Sequence, residues 1–358
     1  MLKTLIFVVA ALLVIGVINL YSALNVWGEH GNIHLWWMQI VWIGIGILFL
    51  VPLALSDYRV FERLAYPLYI VSILFLIASL FTGHVVAGHK SWLGFGGIGI
   101  QPSEFAKVVL ILVLARYFAN NPQPDGFNLV ELIKPILVTL LPCMLVALQG
   151  DTGTALFFVL LGVSFAWFGK IKMKLIVIVA LMGILAAIFG YYRILSDYQR
   201  ARITTFLNPT SDVKGSGYQT IQSRIAVGSG QIWGKGYLKG NINKLKYLPE
   251  KHTDFIFPVL AEEWGFAGSL VMLALYYALL SMIIEIAKHA RDRFGTFITF
   301  GIGAYLFWQI IINLGGVLGL MPLTGVTLPF LSYGGSSTIS TLASIGLLLA
   351  VSRKRFLF

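Results

Sequence analysis

Charge is scarce in this sequence: 11% of its 358 residues are Asp, Glu, Lys or Arg, where a soluble domain carries about 25%. That scarcity, beside 58% hydrophobic residues and a mean hydropathy of +0.85, excludes a soluble globular protein. It points instead to helices that each bury about 20 apolar residues in a bilayer. Cysteine is scarcer still. The single Cys143 sits in an apolar run and reads as a small hydrophobe, and one cysteine excludes an internal disulfide and a Cys-rich metal site. No stretch shows the dyad alternation of a transmembrane β-barrel. The carboxylates number 15 against 26 Lys and Arg, so each acidic side chain stands out.

What is present is a series of apolar runs of spanning length, at about 2–24, 36–55, 64–82, 103–119, 133–149, 153–169, 174–192, 264–287, 296–318 and 336–352. They predict an all-α integral membrane protein of ten transmembrane helices. The start resembles a signal sequence but has no clear small-residue cleavage site, and is read as an uncleaved first span. Lys and Arg set the orientation. One set of connections holds Lys3, Arg59, Arg63, Arg116, Lys134, Lys170, Lys172, Lys174, Lys288, Arg291, Arg293, Arg353, Lys354 and Arg355, whereas the short loops of the other set hold only Lys90. Both termini are therefore expected in the cytoplasm. The chain reads as one polytopic domain over 1–358, with residues 193–259 a large extracytoplasmic loop between helices 7 and 8.

That loop carries ten of the cations, Arg193 to Lys251, against Asp197, Asp212, Glu250 and Asp254. Long loops translocate largely regardless of charge. Its basic character fits a surface that is solvated or touches headgroups, or one that attracts an anionic ligand. Tyr218–Gly230 reads as an amphipathic helix start breaking into glycines, with Ile221, Ile225 and Ile232 on a face suited to the membrane surface. The glycines at 228, 230, 234, 236 and 240 would let backbone approach a ligand closely.

Six carboxylates gather at one end of the spans: Glu104, Asp151, Glu250, Asp254, Glu262 and Glu263. Polar groups at a membrane boundary are costly unless paired or used. Glu104 and Lys107, three apart on one helix face, can pair, either to lock helices or to line a cavity. Asp151, with Thr152 and Thr154, either caps the next helix or meets a polar substrate or metal. Asp254 precedes Phe255-Ile-Phe257; a carboxylate against an apolar wall suits general acid–base work, the alternative being a helix cap. His252 is a base, a ligand or an interface histidine. Glu262 and Glu263 read as fixing helix 8. Met321–Ser337, with two prolines, three glycines and several hydroxyls, is non-helical at membrane depth, which is tolerated only inside protein or beside a wet cavity. It is expected to line the same site from the opposite wall.

These segments together resemble the SEDS family, the RodA/FtsW/SpoVE proteins, with the short tails favouring the RodA branch. The resemblance is carried by Gln101-Pro-Ser-Glu104 with Lys107, Gly150-Asp-Thr-Gly-Thr154, the Tyr218–Gly236 stretch, Leu248–Gly265 and Pro322–Ser336. One departure is Gly150, where many relatives have proline. The resemblance implies a peptidoglycan glycosyltransferase that polymerises lipid II for cell-wall elongation and shape, in the bacterial inner membrane with its active site on the outer face, alongside a class B penicillin-binding protein. It carries the family's catalytic aspartate over to Asp254, the cavity Glu and Lys to Glu104 and Lys107, and places Asp151 in the cavity region. From the matched segments Gln219, Lys235, His252, Ser332 and Ser336 join the candidate substrate contacts. No organic cofactor or nucleic acid is expected; Mg²⁺ or Mn²⁺ on carboxylates would suit the pyrophosphate. Two other readings remain: a lipid II flippase, and a non-catalytic scaffold that activates a penicillin-binding protein. Against the flippase stand the clustering of polar groups at one end and the lack of an internal repeat.

Overall fold

The computed structural model describes residues 2–25, 33–86, 89–95, 98–172, 200, 204, 206, 208, 216–241 and 252–354. Among these are ten helices: α1 (Leu2–Leu24), α2 (Ile33–Leu55), α3 (Tyr58–Thr82), α4 (Pro102–Asn120), α5 (Leu129–Leu148), α6 (Thr152–Phe168), α7 (Ser216–Ser229), α8 (Ile256–Lys288), α9 (Arg293–Val317) and α10 (Gly335–Lys354). Nine of the ten expected spans coincide with described helices. The span at 174–192 and most of the 193–259 loop lie outside the described residues. Seven helices, α1, α2, α3, α5, α8, α9 and α10, are long and apolar enough to cross a membrane. Helix α4, which carries Glu104, Lys107 and Arg116, and the 17-residue α6 fall outside that set.

The all-α reading holds for the helices, with one addition. Residues 84–100 form a three-stranded antiparallel sheet, β1 (His84–Val86), β2 (His89–Phe95) and β3 (Ile98–Ile100), in the order β1-β2-β3. Gly99 lies against the Trp92 ring, where a Cβ would collide.

Helices α2 and α10, α3 and α4, α5 and α6, and α8 and α9 pack in pairs, and α1 lies on α8. At one end of the bundle, Asp292 caps α9 and accepts bonds from Tyr58 Oη (2.8 Å) and Arg59 Nε (3.0 Å). Asp57 caps α3 and pairs with Lys354, whose ammonium holds the Asp57 carboxyl below its ordinary value. Helix α1 begins and α10 ends at this same end. Helices α4, α6, α8 and α10 all begin at the other, where the polar clusters lie.

Proline inside a helix leaves the carbonyl four residues back without its N–H partner, and in an apolar medium that carbonyl has to be bonded by protein. Three helix-internal prolines show how. Behind Pro142, the carbonyl of Val138 accepts from Tyr69 Oη at 2.7 Å. Behind Pro135, that of Glu131 accepts from Tyr117 Oη. Behind Pro67, that of Arg63 accepts from an Arg116 amine at 3.2 Å. Each donor comes from a neighbouring helix, so the repair also ties helices together.

Helix α8 begins at Ile256, earlier than the apolar run predicts, because a short buried segment joins the span across a kink at Gly265 (φ 66°, ψ −162°). Only glycine adopts that conformation readily. The kink receives the glycine-rich strap after α7. Phe266 N–H donates to Gln231 O (2.8 Å), Ala267 N–H to Ile232 O (3.0 Å), and Lys235 and Gly236 N–H to the carbonyls of Glu262 and Glu263 (3.0 Å each). A Cβ at Gly230, Gly234 or Gly265 would collide with opposing backbone. The close approach that the glycines provide here is therefore to helix α8.

Tyr69→Phe is expected to lower unfolding stability by roughly 1–3 kcal/mol, the cost of stranding a buried carbonyl, read by thermal unfolding in detergent. In a Pro142→Ala background, where residue 142 regains its N–H, the same substitution should cost much less. An equal loss in both backgrounds would contradict the repair.

Candidate functional site

Asp254 sits in a turn just before α8, one residue ahead of the cap position, which is Phe255; Asp254 is not the capping residue. Its main chain is fixed to the non-helical segment between α9 and α10. Asn313 Nδ2, on α9, donates to both Asp254 O (2.9 Å) and Val326 O (2.8 Å). Ser332 Oγ donates to Thr253 O (2.6 Å) and accepts from Leu328 N–H (2.8 Å). Tyr333 N–H donates to His252 O (2.9 Å), and the two rings stand 6.0 Å apart. Gly325 (φ 76°) faces the carboxylate; a Cβ there would be 3.7 Å from Asp254 Oδ2. Of the candidate residues, Asp254, His252 and Ser332 are thus brought together, and the Met321–Ser337 segment does line Asp254.

From Val326 to Ser332 that segment is largely buried, with Leu328, Phe330, Leu331 and Ser332 at most 5% exposed, so its backbone has to be bonded by protein. Tyr276 Oη of α8 donates to Pro329 O (2.6 Å). Gln39 of α2 accepts from Gly334 N–H (3.2 Å) and donates to Ser332 O (3.4 Å) and Thr338 Oγ1 (3.0 Å). Gly16 of α1 leaves room for the Phe330 carbonyl, where a Cβ would collide.

A second group lies beside it. Glu104 and Lys107 form a 2.7 Å ion pair, with Lys107 only 2% exposed. The Lys107 ammonium lies 4.8 Å from the Phe157 ring of α6 and 5.5 Å from the Tyr305 ring of α9. Ser340 of α10 reaches Glu104 Oε2 (3.4 Å), and Tyr305 Oη meets Ser340 and Thr341 (3.3 Å each). Four helices therefore close on the pair.

Asp151 caps α6, accepting from Thr154 N–H (3.0 Å) and Thr154 Oγ1 (2.8 Å), and also accepts from Gln101 Nε2 (3.2 Å). Gln101 N–H in turn donates to Ser336 Oγ (2.8 Å). Capping thus accounts for part of Asp151's role, and Gln101 links it to Ser336 at the start of α10. Gly150 has φ 89°, which proline cannot adopt. The turn is nonetheless closed, by Gly150 N–H to Ala147 O (3.0 Å) and Asp151 N–H to Val146 O (3.3 Å). Gly153 lies directly against Thr324, which joins Asp151 to the wall facing Asp254.

Lys235 and Gln219 stand apart. Lys235 Nζ pairs with buried Glu262 at 2.6 Å, and Glu262 also accepts from Asn241 N–H (2.9 Å). Glu263 accepts from Ser22 Oγ of α1 at 2.5 Å. Gln219 is half-buried on α7, one turn before Ser223, whose hydroxyl donates to Val317 O (2.6 Å). Ile225 and Ile232 are exposed. Among the described residues no group of three or more His, Cys, Asp or Glu is placed to hold the Mg²⁺ or Mn²⁺ that the sequence reading allowed.

The sequence reading does not single out Gln39, Tyr305, Gln309, Asn313 or Ser340, which the structure places around the site. Their signal was an uncharged polar side chain in an otherwise apolar span.

Fold and site define a polytopic helical membrane protein with a polar, carboxylate-bearing site at one end of its bundle. The chain belongs to the FtsW/RodA/SpoVE family, whose model, described as "Cell cycle protein", matches residues 3–356. It is 37% identical over 346 residues to the peptidoglycan glycosyltransferase MrdB of Escherichia coli K12, covering 96% of this chain and 93% of that one. Among solved structures, it resembles a chain from a study of polymerization and crosslinking by a peptidoglycan synthase complex (TM-score 0.83, 33% identity, 99% and 98% of the two chains). It also resembles the Thermus thermophilus rod shape determining protein RodA (TM-score 0.72, 31% identity, 99% and 97%).

Removing one partner of a buried ion pair strands the other, at a cost of about 3–5 kcal/mol. Glu104→Gln and Lys107→Met should each destabilise the protein by that order, and the double variant should recover much of the loss. If the pair also serves the reaction, the double variant stays inactive; recovered activity would leave it a purely structural lock.

Proposed function

We propose that the chain is a peptidoglycan glycosyltransferase that polymerises lipid II into glycan strands, with Asp254 as general base. The observation that carries this reading, beside membership of the family, is how Asp254 is held. Its segment is clamped by Asn313, Ser332 and Tyr333 to an internally satisfied non-helical wall, and its carboxylate faces Gly325, which has no side chain to block it.

Asp254 takes the proton of the acceptor sugar hydroxyl as that oxygen attacks the anomeric carbon of the donor. The bond from that carbon to the lipid pyrophosphate breaks, the electron pair leaves with the phosphate oxygen, and the configuration inverts. General base catalysis supplies about 10²–10⁴-fold, so charge stabilisation of the leaving group matters as much. The Glu104–Lys107 pair is close to neutral as a unit. The N-termini of α4, α6, α8 and α10 all open toward this end, and their dipoles favour an anion there. The basic 193–251 stretch adds a steering field, and His252, Ser332 and Ser336 stand around the wall that holds Asp254. The site faces outward from the bacterial inner membrane, with both termini inside, and the enzyme works beside a class B penicillin-binding protein.

Asp254→Asn, purified and folded, should form less than about a hundredth of the wild-type polymer from lipid II. Polymer near the wild-type level would sink the base assignment. Labelled lipid crossing vesicle bilayers without polymer would favour the flippase instead.

A further inference from the structure

Tyr305, Gln309 and Asn313 follow one another at four-residue intervals on α9, so they share a face. The two outer members are anchored: Tyr305 to Ser340 and Thr341 beside the Glu104–Lys107 pair, and Asn313 to the carbonyls of Asp254 and Val326. At 1.5 Å per residue, those layers stand roughly 12 Å apart along the helix. Gln309 lies midway. It is 0% exposed, and among the described residues neither its Nε2 nor its Oε1 has a hydrogen-bond partner. The Oδ1 of Asn313, one turn on, is in the same condition.

A buried amide left unbonded costs free energy, and an unsatisfied group in a native structure calls for a role. We propose that Gln309, with Asn313 Oδ1, forms an uncharged amide strip that receives neutral amide or hydroxyl groups of the substrate between the Glu104–Lys107 pair and Asp254. Glutamine offers two donors and an acceptor and no charge, which matches the sugar and peptide part of a lipid-linked disaccharide peptide and not its pyrophosphate. Because Gln309 is enclosed, the strip is reached only when α9 parts from its neighbours. A bundle that closes over an unbonded amide is disfavoured relative to an opened one in which a polar ligand bonds it, so substrate binding itself shifts the population. This rests on the glycosyltransferase reading for the identity of the ligand.

The test compares Gln309→Leu with Gln309→Glu. Leucine removes the orphaned amide and retains volume, so the ligand-free variant should melt at or above the wild-type temperature, while its affinity for purified lipid II falls about tenfold. Binding is measured in an Asp254→Asn background, where turnover does not interfere. With Asp254 intact, KM should rise by a similar factor, with kcat changing less. Gln309→Glu, which keeps an acceptor, should restore part of the affinity. A fall in melting temperature for Gln309→Leu would show a structural partner and overturn the proposal, as would unchanged affinity. If wild type binds lipid II in this Gln309-dependent way but forms no glycan, the reaction assignment fails and the binding strip stands.

Discussion

Backbone polar groups away from water have to be bonded by the protein, and the rest of this structure depends on how that is done between α9 and α10. Residues 326–334 cross largely buried space without a helix to satisfy them. Three side chains from three helices do so instead: Gln39 from α2, Tyr276 from α8 and Asn313 from α9. Asn313 is the most consequential, because the amide that holds Val326 also holds Asp254. Satisfying the wall and placing the carboxylate are one act. The same rule recurs behind the helix prolines, where Tyr69, Tyr117 and Arg116 donate to the carbonyls that proline leaves over.

Around that wall the charges are arranged so that few act alone. Glu104 and Lys107 neutralise each other inside four helices, Asp151 is spent partly on a cap, and Glu262 binds Lys235. The carboxylate of Asp254 lies at the wall's edge, opposite Gly325. In the proposed reaction, positive potential comes from the starts of α4, α6, α8 and α10 and from the cations of the 193–251 sequence. Such fixed dipoles need no reorganisation as charge develops on a leaving group.

Much of this was legible in the sequence. Apolar runs located the helices, because lipid demands length and hydrophobicity together. Boundaries slipped where a helix outran its apolar run. Helix α3 begins at Tyr58, with Glu62 and Arg63 still helical, because hydropathy reports lipid contact and not helicity. Helix α8 begins before its kink for the related reason that Ile256–Leu260 face protein. The sheet at 84–100 escaped because its pairings are short hairpins in a glycine-rich stretch. The glycines after α7 suggest room for a ligand, but their neighbour is the backbone of α8; composition shows that something comes close, not what. The uncharged polar residues of the spans carry no charge signal, although Asn313 ties Asp254 to the wall and Gln39 bonds that wall from α2.

The most direct test is a structure of the Asp254→Asn protein with lipid II bound. The account predicts a sugar hydroxyl within about 3 Å of residue 254, the hydrogen-bond reach a base requires, with the pyrophosphate toward the helix starts of α4 and α6. A lipid II molecule seated with its sugars away from residue 254, and no hydroxyl within reach of it, would contradict the central claim.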